Sequence, residues 1–138
     1  MDKILSAEEA LAQKGMYATT VVGVSMLPLL TERRDTVTVT PLAAPPKKYD
    51  VVLFRREGQL VLHRIVGQRE GCFLIRGDNC VGCDQVEPQQ ILGVMTAFTR
   101  GSKQHSAKAL PYCLYSRLWV ASFPIRRLWA RIKRRLHG

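Results

Sequence analysis

A chain of 138 residues with 46% hydrophobic residues is one domain's worth of sequence, long enough to bury a core and too apolar for wholesale disorder. Its net charge of +10 is unevenly spread: residues 1–99 hold 11 basic and 11 acidic residues, and residues 100–138 hold 10 basic and none acidic. A neutral body with a basic tail restricts a polyanion partner, membrane phosphate or nucleic acid, to the tail.

The first predicted element is a helix over "LSAEEALAQKG" (5–15). Ser6 and Glu9 have the spacing of a capping box, and Gly15 suits a C-terminal cap. The charges Asp2, Lys3, Glu8, Glu9 and Lys14 interrupt residues 1–20, so no export signal or membrane anchor is expected there. The pattern then turns to β. "YATTVVGV" (17–24) reads as a buried strand rich in valine, ending at Ser25. "TVTVT" (36–40) alternates strictly, with Val37 and Val39 on one face. "LAAPPKK" (42–48) is a loop, and "DVVLFRR" (50–56) a continuous apolar strand. "QLVLHRIVG" (59–67), "CFLIR" (72–76) and "ILGVMTAFT" (91–99) are further strands, separated by the turns Glu57-Gly58 and "REG" and by the loop "GDNCVGCD" (77–84). About six short strands with tight connections predict a mainly β domain with antiparallel pairing.

From Pro111 the apolar period becomes helical, and Pro124 divides the segment into two helices. Ile125, Leu128, Trp129, Ile132 and Leu136 recur at helical spacing, with Arg126, Arg127, Arg131, Lys133, Arg134 and Arg135 between them. The expected organisation is a β body over 1–99 with its N-terminal helix, and a basic amphipathic helical tail over 100–138. An anionic membrane surface is the expected partner of residues 111–138. A helix packed on the β domain and a nucleic-acid contact are the alternatives. No run approaches the ~20 apolar residues of a spanning helix, so a cytoplasmic protein, peripheral on the inner face of the membrane, is expected.

Four cysteines are present: Cys72, Cys80, Cys83 and Cys113. Cys80 and Cys83 have C-x-x-C spacing, but no neighbouring motif completes a four-ligand zinc set. Reduced thiols acting as small turn residues are expected, with no metal and no cofactor.

Three features of the body carry the elements of acyl-transfer chemistry. Ser25 closes a strand, His63 lies in mid-strand among aliphatic residues, and Asp78 and Asp84 follow in the next loop. Taken singly they read as a turn serine bonding its own backbone and a satisfied core histidine. Taken together they make a Ser–His–Asp arrangement available, in which His takes the serine proton and Asp fixes the tautomer.

The ordered set "VVGVSMLPLL … DTVTV … YDVVLFRR … LVLHRIV … FLIRGDNCVGCD … ILGVM", over residues 20–96, resembles the catalytic domain of type I signal peptidases, in the superfamily that includes LexA-type self-cleaving repressors. Ser25-Met26-Leu27-Pro28 is similar to the family's Ser-Met-x-Pro nucleophile motif. His63-Arg64-Ile65 resembles the context of the base in the archaeal and endoplasmic-reticulum branch, which has histidine where the bacterial branch and the repressors have lysine. Gly77-Asp78-Asn79 and Asp84 match that branch's two aspartates. The resemblance implies a signal-peptidase/LexA-like fold and a serine endopeptidase acting on an extended peptide or precursor protein. It implies Ser25 as nucleophile, His63 as base, Asp84 as triad acid and Asp78 as an assisting or structural carboxylate. Met26 and Pro28 would shape the turn at the oxyanion and substrate groove. A catalytically silent peptide-binding or regulatory module on the same fold is the alternative. The chain departs from the family at two turns, where Arg34-Asp35 and Tyr49-Asp50 stand in place of Gly-Asp. If those turns need positive φ, each replacement costs about 1 kcal/mol or more, and altered turns are expected.

Overall fold

The computed structural model describes residues 7–137. Helix α1 (Ala7–Lys14) occupies the first predicted element, burying Ala7, Ala10 and Leu11. The predicted cap at Ser6 lies outside the described residues. Eight strands follow: β1 (Tyr17–Thr20), β2 (Thr36–Thr40), β3 (Val51–Arg56), β4 (Gln59–Arg69), β5 (Cys72–Arg76), β6 (Asp84–Val86), β7 (Ile91–Arg100) and β8 (Lys103–Ser106). They form one antiparallel sheet in the order β1-β2-β7-β3-β4-β5-β6, with β8 also paired to β7. Two helices, α2 (Leu110–Ala121) and α3 (Phe123–His137), end the chain. The described residues are therefore mainly antiparallel β with three helices. No helix among the described residues is long and apolar enough to cross a membrane.

Burial follows the sequence pattern where a strand has two neighbours. β3 pairs with both β4 and β7, and its run Val51–Phe54 is buried. β2 alternates, with Val37 and Val39 inside. Val52, Phe54, Ile65, Phe73 and Ile75 form one core cluster. Val21, Met26, Leu29, Leu30, Val37 and Phe98 form another, against which Tyr112 and Tyr115 of α2 pack.

Three expectations are corrected. The strand predicted over 17–24 stops at Thr20, and Val22 and Val24 are exposed, Val22 by 86%. The reason is local. The Val21 N–H donates to Asp35 O and the Val21 carbonyl accepts from Arg33, so a turn takes its backbone bonds, and Gly23 (φ 88) then leads the chain out of the sheet. Second, the segment after residue 99 does not begin as tail: β8 extends the sheet and α2 closes the core. Third, the two departures from Gly-Asp behave differently. Tyr49 adopts φ 82 itself, keeping the left-handed turn without glycine. At the other site Arg33 (φ 65) adopts that conformation, one residue ahead of Arg34. Tyr49 is held by its N–H to Ile65 O (2.8 Å) and by the Arg117 guanidinium 4.9 Å from its ring.

Asp35 ties the turn after Leu30 to the β7–β8 hairpin. Its buried carboxylate accepts from Thr31 N–H (2.7 Å), Gly101 N–H (2.8 Å) and Arg34 Nε (2.8 Å). The Arg34 hydrogen bond holds its pKa down to about 2 from the ordinary 3.8, against the opposing effect of burial, and the two backbone donors assist. A carboxyl with a depressed folded-state pKa contributes stability above its unfolded value, and that contribution fades as pH falls through the folded one. We expect Asp35→Asn to lower stability at neutral pH by about 1–2 kcal/mol in urea titrations. The variant should also flatten the wild-type decline between pH 4 and 2, because the titrating group is gone.

Candidate active site

His63 and Arg64 are consecutive on β4, so strand geometry aims them to opposite sides of the sheet. His63 turns toward the loop that carries Ser25, and its Nε2 lies 3.0 Å from Ser25 Oγ. The structure thus brings together two residues 38 positions apart in the chain. They sit in a groove of about 710 Å³ whose walls include Tyr17, Thr19, Val22, Val39, Leu60 and Asp84. Met26 lines the same groove from the buried side, whereas Pro28 is exposed at the back of the turn.

Burial lowers the His63 pKa from its ordinary 6.5, and the nearby Arg56 lowers it further, while the charges of Asp84 and Asp78 push the other way. The net effect is downward, so the imidazole is neutral near pH 7. When Nε2 accepts from the serine hydroxyl, the proton of the neutral ring sits on Nδ1. That atom is buried and has no hydrogen-bond partner among the described residues. The Asp84 carboxylate, in the same groove, is hydrogen-bonded to Arg56 instead.

Asp78 stands elsewhere. Its carboxylate receives both arms of the Arg64 guanidinium, Nε to Oδ1 at 2.8 Å and Nη2 to Oδ2 at 3.0 Å. Arg64 is fully buried, and its Nη1 also donates to Tyr49 O (2.9 Å) and Ser116 Oγ (2.7 Å). Tyr115 OH donates to Asp78 Oδ2 at 2.7 Å, and Trp119 Nε1 to the Asp78 carbonyl at 2.8 Å. Asp78 is thereby a structural carboxylate that fixes the start of the loop behind Ser25.

Two neighbours in that loop hold the serine segment directly. The Asn79 N–H donates to Ser25 O (2.8 Å), and its side-chain amide to Val24 O (3.0 Å). Gly77 passes so close that a Cβ there would lie 2.7 Å from Ser25 O and 3.0 Å from the His63 ring. Gly77 and Asn79 stand in a motif of the sequence, but these contacts depend on tertiary approach that spacing does not encode. Arg56, whose position in the pattern is only the end of a strand, was missed. Its signal was weak: a charge closing an apolar run beside a two-residue turn.

Cys80 and Cys83 both line the groove as free thiols, and burial raises both pKa values. Both are therefore neutral near pH 7, which disfavours thiolate chemistry. Among the described residues no group of three or more His, Cys, Asp or Glu side chains is placed to hold a metal ion.

No protein-family model matches the chain, and no curated protein matches it either.

The two aspartates should separate cleanly in experiment. Asp78→Asn leaves the buried Arg64 charge uncompensated and should cost about 3 kcal/mol or more in denaturant unfolding. Asp84→Asn, at a partly exposed ion pair, should cost at most about 1 kcal/mol. Gly77→Ala should disturb the serine segment, moving the His63 imidazole resonances in NMR spectra while most of the fold persists.

Proposed function

We propose that the protein is a serine endopeptidase of signal-peptidase type, with Ser25 as nucleophile and His63 as general base. The observation that carries the reading is the 3.0 Å contact between His63 Nε2 and Ser25 Oγ inside an apolar groove. His63 would take the hydroxyl proton as Oγ attacks the scissile carbonyl, then return it to the leaving amine. A neutral imidazole at working pH suits that task, and burial supplies it.

The groove suits an extended peptide. Among the described residues β1 pairs only with β2, so its outer edge is open, and Tyr17, Thr19 and Thr20 of β1 line the groove. A substrate strand could add to that edge by main-chain hydrogen bonds. The similarity of Ser25-Met26-Leu27-Pro28, His63-Arg64-Ile65 and Gly77-Asp78-Asn79 to signal-peptidase motifs adds support from the sequence. Asp84 is the candidate triad acid. In the catalytic state its carboxylate would turn from Arg56 to the unpartnered His63 Nδ1, stabilising the imidazolium. A catalytically silent peptide-binding module is the second reading, favoured by that same unpartnered Nδ1.

N-terminal peptides from the native host, compared by mass spectrometry between wild type and Ser25→Ala, distinguish the two. New termini that depend on Ser25 are expected, with His63→Ala reducing their formation by on the order of 10³-fold or more. Equal sets of termini in wild type and a folded Ser25→Ala would favour the binding module.

The rate should also fall with acid as His63 takes up a proton, with an apparent pKa below 6.5. Arg56→Gln removes a cation that lowers this pKa and frees Asp84, which raises it. The acid limb of kcat/KM should therefore move to higher pH in that variant. A shift to lower pH would contradict the assigned electrostatics.

A further inference from the structure

α3 is attached to the protein by the wrong face for a packing helix. Phe123, Arg126 and Ala130 are its half-buried residues, and at about 100° per residue they share one narrow arc. Arg126 fastens this side, donating through Nη1 to the Asp78 carbonyl (3.3 Å) and through Nη2 to Trp119 O (2.6 Å). The Arg76 guanidinium lies 3.4 Å from the centre of the Phe123 ring. Ile125, Leu128, Trp129, Ile132 and Leu136 form a stripe about 100° wide on the opposite side, and they are 40–75% exposed. Arg127, Arg131, Lys133, Arg134 and Arg135 are exposed around the rest of the helix. An amphipathic helix ordinarily turns its apolar stripe to the core. This one turns it to the outside.

The covering partner must satisfy both the stripe and its cationic flanks. A second copy laid stripe to stripe would bring two cationic helices together, and residues 100–138 contain no acidic residue to offset them. Nucleic acid would engage the cations and leave the stripe in water. An anionic bilayer meets both at once: the stripe enters the acyl boundary, Trp129 sits at headgroup depth, and the flanking cations face phosphates. We propose that α3 lies in the interfacial plane of an anionic lipid bilayer, and that this docks the protein on a membrane surface. The inference goes beyond the peptidase reading and does not depend on it.

The test is flotation of the full-length protein with phosphatidylcholine vesicles containing about 30% phosphatidylglycerol, against pure phosphatidylcholine vesicles and a DNA duplex. Wild type should float with the anionic vesicles, and its tryptophan emission should shift to the blue. Trp129→Phe should lose that shift and still float. Leu128→Ser/Trp129→Ser/Ile132→Ser, all at exposed positions, should keep the circular-dichroism spectrum of the fold and partition at least about tenfold less. No flotation of wild type would overturn the proposal. Undiminished flotation of the triple variant would also overturn it, because charge alone would then explain binding. So would DNA binding, or a dimer in sedimentation, without vesicle binding.

Discussion

The Arg64–Asp78 pair is the constraint from which the rest of the site is built. A guanidinium with no exposed surface is tolerated only when its donors find acceptors, and here they come from three parts of the chain. Tyr49 contributes a carbonyl from a left-handed turn, Asp78 both carboxylate oxygens, and Ser116 and Tyr112 their hydroxyls from α2. The unusual φ of Tyr49 is thus coupled to the pair, since that conformation aims its carbonyl at Arg64. Satisfying one buried charge joins a turn, a loop and a helix, and the loop goes on to grip the Ser25 segment through Asn79.

The groove depends on the same strand. Because His63 and Arg64 are consecutive on β4, the order imposed behind the sheet sets the position of the imidazole in front of it. Opposing charges act across the groove. Burial and Arg56 keep His63 neutral, whereas Asp84 favours its charged form. Arg56 and Asp84 are bonded to each other, so whatever alters that pair alters the basicity of His63.

Much of the fold was legible because it follows from period and burial. The alternation of "TVTVT" and the unbroken "VVLF" became strands with the expected burial, since β2 has one buried face and β3 is covered on both, Val51 and Leu53 packing in different clusters from Val52 and Phe54. The valines at 22 and 24 misled because β propensity describes a side chain on a pleated surface, and here the backbone bonds of Val21 were taken by the 31–35 turn. Strand β8, "KQHS", carries no apolar alternation and forms because the turn at Gly101 returns it to β7. At the site, pattern reading supplied the candidate residues, but not their pairing. That Asp78 would serve Arg64 on β4, and Asp84 would bond Arg56 at the end of β3, follows from tertiary placement, and spacing does not encode it.

The two terminal helices differ in how far they could be exchanged. α3 meets the body through Phe123, Arg126 and Ala130, so most of its positions are free to vary so long as that short arc is kept. α2 has no such freedom: Tyr112, Tyr115, Ser116 and Trp119 roof a buried cation and its carboxylate. A shortened or fused chain that ended before Leu110 would open that roof and let water reach Arg64. The natural seam for grafting a different address onto this scaffold is therefore the bend at Ser122, after α2 and before the amphipathic helix.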